Sequence, residues 1–314
     1  MKVLNPGPWR VVGQSAAALV VGIGVGRFAF TPILPAMIQQ AGLSPRGGAA
    51  IATSNYAGYF VGALLGILFP RLVRFQAGFR WALAVEAASL AAMPLGGSVP
   101  VWSAIRCVSG IASAAVFMTG AAALAAHLPP RRAHLAGWGY SGVGAGIVLS
   151  GLAVAAVWPA FGWGPAWVAA AALAALAGFA CWNLPLEGQT SLPDAVAPDP
   201  APERRGRSAF PALAVAYGLE GAGYVIAGTF LVAALDESSA GWVGPSAWVL
   251  VGLLAVPSCA VWTALTRRFA PLGLLACALA IQALGMALPA LAEGPWAAGA
   301  AAVLFGGTFM GAVA

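Results

Sequence analysis

Apolar runs of about 20 residues recur along the whole chain with only short interruptions, each long enough to cross a ~30 Å hydrocarbon core as a helix. In that medium a segment must satisfy its own backbone polar groups, so a chain patterned this way folds as a bundle of membrane helices. The runs give ten spans, at 11–39, 48–70, 78–97, 99–127, 135–159, 164–184, 209–235, 245–266, 271–292 and 296–314. Composition agrees, with 8% charged residues where a soluble domain carries about 25%. The expected fold class is therefore an all-α polytopic membrane protein. The first run follows Lys2 and Arg10 as a secretory signal would. It is too long for a signal's apolar region and shows no cleavage site, so it counts as the first span.

Charge is distributed by side rather than by patch. Lys2, Arg10, Arg71, Arg74, Arg80, Arg131, Arg132, Arg204, Arg205, Arg207, Arg267 and Arg268 fall in alternate loops or tails, and Arg46 in the others. That asymmetry places the N-terminus and the 185–208 loop in the cytoplasm, with Asp236, Glu237 and Glu293 on the opposite side. The net charge of +6 thus reports orientation in a bilayer, not a nucleic-acid partner. Cys107, Cys181, Cys259 and Cys277 lie within spans as small buried hydrophobes and form no C-x-x-C pair. His127 and His134 are too isolated to hold a metal, so neither a metal nor a cofactor is expected. No nucleophile with a base, histidine cluster or paired carboxylates stands at a useful spacing, so an enzyme is not expected either.

The long hydrophilic segment "LEGQTSLPDAVAPDPAPERRGRS" reads as a linker. It divides the chain into an N-terminal six-helix bundle at 1–185, a cytoplasmic linker at 186–208 and a partial C-terminal bundle of about four helices at 209–314. "GRFAFTPILP" in the first span has a loose counterpart in "GYVIAGTFLV" in the seventh, as duplication would leave. Glycines at 58, 62 and 66, and at 142 and 146, recur every four residues, the spacing that lets helices approach closely in lipid.

"GIGVGRFAFTPILP" looks like a phosphate loop, but the third glycine position of that motif is absent and no acidic residue occurs between Met1 and Arg80. The stretch is instead a membrane helix with an arginine at its middle, and Pro32 and Pro35 are expected to kink its outer end. Ionisable groups deep in a span cost roughly 2.5–3.5 kcal/mol and by default face an interior or aqueous cavity. Arg27, Glu86, Arg106 and Glu220 are such groups. Thr31 lies one turn from Arg27 on the same face. Ser103, Ser109, Gly110 and Ser113 share a stripe with Arg106, and Tyr217 and Tyr224 flank Glu220. Asn55, Tyr59 and Gln282 are milder polar candidates, and Glu86, with Ser89 one turn on, is a secondary one. For each charge the competing reading is an ion pair or hydrogen bond that locks helices together.

Taken together, "GRFAFTPILPAM", "SNYAGYFVGALLG", "YGLEGAGYVIAGTFL" and "LFGGTFMG" resemble the major facilitator superfamily, and within it the YbfB/YjiJ-type bacterial branch. "RCVSGIASA" is similar to the superfamily's Arg-x-x-x-Gly pattern, placing Arg106 and Gly110 on its positions. "GYSGVGAGIVLSG" resembles its glycine-rich fifth helix without the usual proline. The loop between the second and third spans departs from the pattern: Pro70 stands at the aspartate position and Val73 at a glycine.

The resemblance implies twelve helices in two bundles, with the first, fourth, seventh and tenth lining a cavity, and a chain apparently lacking the last two. It implies a monomeric secondary transporter of the bacterial inner membrane. Such a protein moves a small organic solute by alternating access, coupled to protons. Two cavity arginines favour an anionic or zwitterionic solute by charge attraction. The expected roles are anion contact for Arg27, proton carrier or polar contact for Glu220, and conformational or coupling residue for Arg106. The alternative is a truncated, non-transporting membrane protein or sensor derived from such a transporter.

Overall fold

The computed structural model describes residues 7–71, 75–186, 243–292 and 294–312, together with 211, 215–221, 223–225, 228, 229, 231 and 232. The linker from 187 onward, Val73 and parts of the 209–235 span lie outside the described residues. Among the described residues the secondary structure is helical, and seven helices are long and apolar enough to cross a membrane.

The first span, Pro8–Ala41, is broken. It comprises α1 (Pro8–Leu19), a π-helical segment (Val20–Val25), a turn at 26–29 and α2 (Phe30–Ala41). There follow α3 (Pro45–Leu68), α4 (Gln76–Ala92), α5 (Val99–His127), α6 (Ala136–Phe161) and α7 (Trp163–Cys181). After the helical residues between 215 and 232 come α8 (Val243–Leu265), α9 (Pro271–Leu291) and α10 (Pro295–Phe309). The starts follow helix-entry chemistry. Pro8, Pro45, Pro100, Pro271 and Pro295 stand in first turns, where a missing N–H costs nothing, and Ser44 caps α3 by accepting from the Gly47 N–H at 3.1 Å.

The expected bend at Pro32 and Pro35 is not where the first span breaks. Instead, the Gly26 N–H reaches back to the Val21 carbonyl at 2.9 Å and the Phe28 N–H to that of Ile23 at 3.2 Å, bonds of five-residue reach. The Thr31 N–H then bonds to the Phe28 carbonyl at 3.3 Å, three residues back. Pro32 contributes in a different way, because it has no N–H to offer the Phe28 carbonyl. A wide turn followed by a tight one is how a helix accommodates one extra residue, and such segments often mark functional sites.

Packing depends on close backbone approach. A side chain on Gly24 would collide with the Gly146 backbone of α6 at 2.6 Å, so the break is pressed directly on that helix. Gly58 meets the Cys107 backbone and Gly62 that of Ile111, which joins α3 to α5 along the four-residue glycine repeat. Lipid supplies no hydrophobic drive between helices, so contact of this kind and polar bonds carry the association. One apolar core gathers residues between Ala18 and Leu186; a second joins Leu19, Ile23, Phe28, Val143 and Ile147 to residues from Leu231 to Met310. Cys181 and Cys259 are buried as expected, whereas Cys277 is exposed on α9.

Gly24→Val forces two backbones apart and is expected to destabilise the fold by about 1–3 kcal/mol. The check is a lowered thermal midpoint in detergent, against Gly13→Ala as control, since Gly13 has nothing within 4 Å of an added methyl.

Candidate functional site

Breaking a helix inside a membrane exposes carbonyls that no water can satisfy. Here the repair comes from α5. Arg106, 2% exposed, sends Nη1 to the Gly26 carbonyl at 2.6 Å and Nη2 to the Arg27 carbonyl at 3.0 Å. Its guanidinium also lies 5.9 Å from the Phe30 ring and 5.6 Å from that of Trp167, so the flanks of the charge are aromatic.

Ser109, one turn along α5, is the junction of the surrounding network. Its Oγ accepts from Arg106 Nη1 at 3.3 Å and from Asn55 Nδ2 at 3.3 Å, and donates to Glu86 Oε1 at 2.9 Å. Asn55 also donates to the Arg106 carbonyl at 3.0 Å, tying α3 to α5. Glu86 is fully buried, its carboxyl against Gly26, and Oε2 has no hydrogen-bond partner among the described residues. Ser89 donates to the Glu86 backbone carbonyl, not to its carboxyl.

Arg27 leaves the turn in a different direction. Its guanidinium carbon stands 4.2 Å from the centre of the Tyr56 ring, 4.7 Å from Tyr59, 5.6 Å from Tyr224 and 6.0 Å from Phe28. This aromatic cage offsets part of the cost of removing a cation from water. Nε has no hydrogen-bond partner among the described residues. Arg27, Arg106, Thr31, Asn55, Tyr56 and Thr229 line a cavity of about 10 Å³ with Phe30 and Ala52, a lining that holds two guanidiniums and no carboxylate. The volume is about that of one water. Thr31 closes the first span onto the 215–232 segment by donating to the Gly228 carbonyl, and the Tyr56 hydroxyl lies 3.4 Å from that of Thr229.

The structure thus brings together Arg27, Thr31, Asn55, Tyr59, Glu86, Arg106 and Tyr224. It does not bring Glu220 to them. Glu220 accepts from Gln282 Nε2 at 3.0 Å on the wall of a separate groove of about 600 Å³, lined also by Leu219, Leu279 and Met286. Tyr217 likewise turns away and donates to the Ala312 carbonyl at 2.9 Å. Tyr56, Phe28 and Thr229 join the site unannounced by the sequence analysis. Tyr56 and Tyr59, three residues apart on one helix face, with an arginine at the middle of the preceding span, are the signal that was available.

The apolar helices, the broken first span and the charges held within the spans are those of a multi-pass membrane protein. The family described as "Uncharacterised MFS-type transporter YbfB" matches residues 19–314, and the chain belongs to that family. It is a secondary transporter by that membership. No curated protein is matched by the sequence.

Among solved structures the chain is similar to a partially occluded inward-open conformation of the xylose transporter XylE from E. coli. The TM-score is 0.66 at 13% identity, covering 98% of this chain and 83% of that one. It is also similar to a D-xylose-proton symporter, with TM-score 0.59 at 14% identity, covering 96% and 78%. An inward-open conformation of XylE from E. coli gives 0.54 at 17% identity, covering 96% and 80%. At identities this low the likeness shows a shared fold alone.

Arg106→Leu strands two carbonyls in the membrane and is expected to cost about 1–3 kcal/mol for each one left unpaired. Arg106→Lys keeps the charge but lacks the planar fork, so it should recover only part of the loss. Thermal midpoints of the two variants in detergent, ranked wild type, Lys, Leu, are the check.

Proposed function

We propose that this transporter moves a small organic anion or zwitterion across the bacterial cytoplasmic membrane by alternating access, coupled to protons, with its N-terminus in the cytoplasm. One observation carries the reading: a mid-span guanidinium, Arg27, faces a small cavity whose lining holds a second arginine and no carboxylate, a space that alternating access must widen before a solute enters. A half-buried cation with no counter-charge in its cavity is partly stripped of water, and an incoming carboxylate or similar oxyanion offsets that cost. With aromatic rings packed about it, the guanidinium's N–H edge is the part left to receive such a group, in the paired geometry arginine favours. Thr31 and Thr229, on segments that meet at this cavity, are placed to sense its occupancy.

Residues 1–185 serve as one bundle, 186–208 as a cytoplasmic linker and 209–314 as part of a second bundle, working as a monomer. The second apolar core is where the two would slide, since it joins Phe28, Val143 and Ile147 to Trp248 and Phe309. Proton coupling falls to an intramembrane carboxyl, and Glu86 and Glu220 are those the sequence places within spans.

The test is reconstitution into liposomes and exchange of radiolabelled short carboxylates and amino acids. Losing a charge-assisted hydrogen bond costs about 1.5–3 kcal/mol, so Arg27→Ala should reduce exchange by about tenfold or more. Arg27→Lys should retain part of it. Unchanged exchange in Arg27→Ala would refute the anion-contact role.

A further inference from the structure

The Arg106 guanidinium sits one hydroxyl away from a carboxyl and yet spends its two terminal nitrogens on backbone carbonyls. Ser109 Oγ is shared: it accepts from Arg106 Nη1 at 3.3 Å and donates to Glu86 Oε1 at 2.9 Å. Arg106 Nε and Glu86 Oε2, meanwhile, both lack a hydrogen-bond partner among the described residues. Two opposite charges left this close in a dry interior would gain greatly by direct contact. Their separation is what a neutral carboxylic acid produces, because the acid demands no counter-charge and leaves one O–H donor unpaired in place of a full charge.

We propose that Glu86 is the proton-binding group of the transport cycle and that Arg106 alternates between two sets of acceptors. With the proton on Glu86, the guanidinium holds the carbonyls of Gly26 and Arg27, as seen here. When the proton leaves Glu86 for water admitted from one side, the carboxylate takes the guanidinium into a direct ion pair. The two carbonyls are then released, and the turn at 26–29 changes its pitch. No covalent bond other than O–H breaks. Arg27 stands on that turn, so the proton state of Glu86 sets the direction from which the Arg27 guanidinium meets its cavity. Gly26 is required for this arrangement, because any side chain there would overlap the Glu86 carboxyl.

The charged and titratable groups that face Glu86 are few. From α5 there is Arg106, from the first span Arg27, whose guanidinium turns to Tyr56 on α3, and α7 carries Cys181 alone. Glu220 is a poorer proton carrier for this site because it lines the separate groove with Gln282. The inference rests on the transport reading for its purpose, but its test requires no solute.

Infrared difference spectra of the purified full chain, titrated with pH, read the C=O stretch of a protonated carboxyl directly. The wild type should show a band that disappears as pH rises. Glu86→Gln should lack that band, Glu220→Gln should retain it, and Ser109→Ala should move it to higher frequency by removing the hydrogen bond to Oε1. Arg27→Ala should leave the band in place, so failure of the anion-contact role and failure of this assignment are distinguishable. A titrating band that survives Glu86→Gln, or vanishes in Glu220→Gln, overturns the proposal. So does a wild-type spectrum without such a band. Should Glu86→Gln not yield folded protein, an unmoved band in Ser109→Ala overturns it equally.

Discussion

A helix broken inside a membrane must be mended by another helix, and in this protein the mend is the guanidinium of Arg106. Its two terminal nitrogens hold the carbonyls of Gly26 and Arg27 at 2.6 and 3.0 Å. Without those donors the turn at 26–29 would leave polar groups in a medium that cannot solvate them. The position of Arg27 depends on that turn, as does the approach of Gly24 to Gly146 and of Gly26 to Glu86. A single side chain from α5 thus determines how the first span packs on α4 and α6 and where its own arginine points.

The two arginines, Arg106 buried and Arg27 half-buried, are held by different means and are therefore suited to different work. Arg106 is bonded through its fork and flanked by Phe30 and Trp167, so its charge is used up within the protein. Arg27 is held by ring faces, an attraction worth about 0.5–2 kcal/mol, and its Nε has no hydrogen-bond partner among the described residues. Held by rings, the cation remains able to bond a ligand; held by carbonyls, it is structural until something displaces them. That contrast is why we place the solute at Arg27 and the conformational role at Arg106.

Much of this was legible in the sequence because the bilayer imposes a length and a polarity on each span. The run at 99–127 is α5 residue for residue, and the other described helices begin and end within a few residues of the apolar runs. Charged residues within spans announce themselves for the same reason, and seven of the named polar residues, Arg27, Thr31, Asn55, Tyr59, Glu86, Arg106 and Tyr224, do meet around one break. The break itself was not legible. Prolines at 32 and 35 advertise a bend, but the π segment lies at 20–25, where the sequence shows only valine, isoleucine and glycine. Glu86 and Arg106 approach it from other helices, and no local pattern encodes an approach. Glu220 shows what helical spacing leaves open: it stands at that spacing from two tyrosines, yet its hydrogen bond comes from Gln282 on a distant helix.

The sequence by itself determined that this chain is a multi-pass helical membrane protein and which charges its spans must accommodate, since burial of backbone and charge in hydrocarbon is governed by composition and length alone. Tertiary structure alone decided which charges meet. Ser109 could bridge Arg106 to Glu86, and tyrosines from two helices could enclose Arg27, only after the helices had packed. Hydrogen bonds and ring contacts act over a few ångströms, and those that cross between helices at this site join residues 23 to 197 positions apart in the chain.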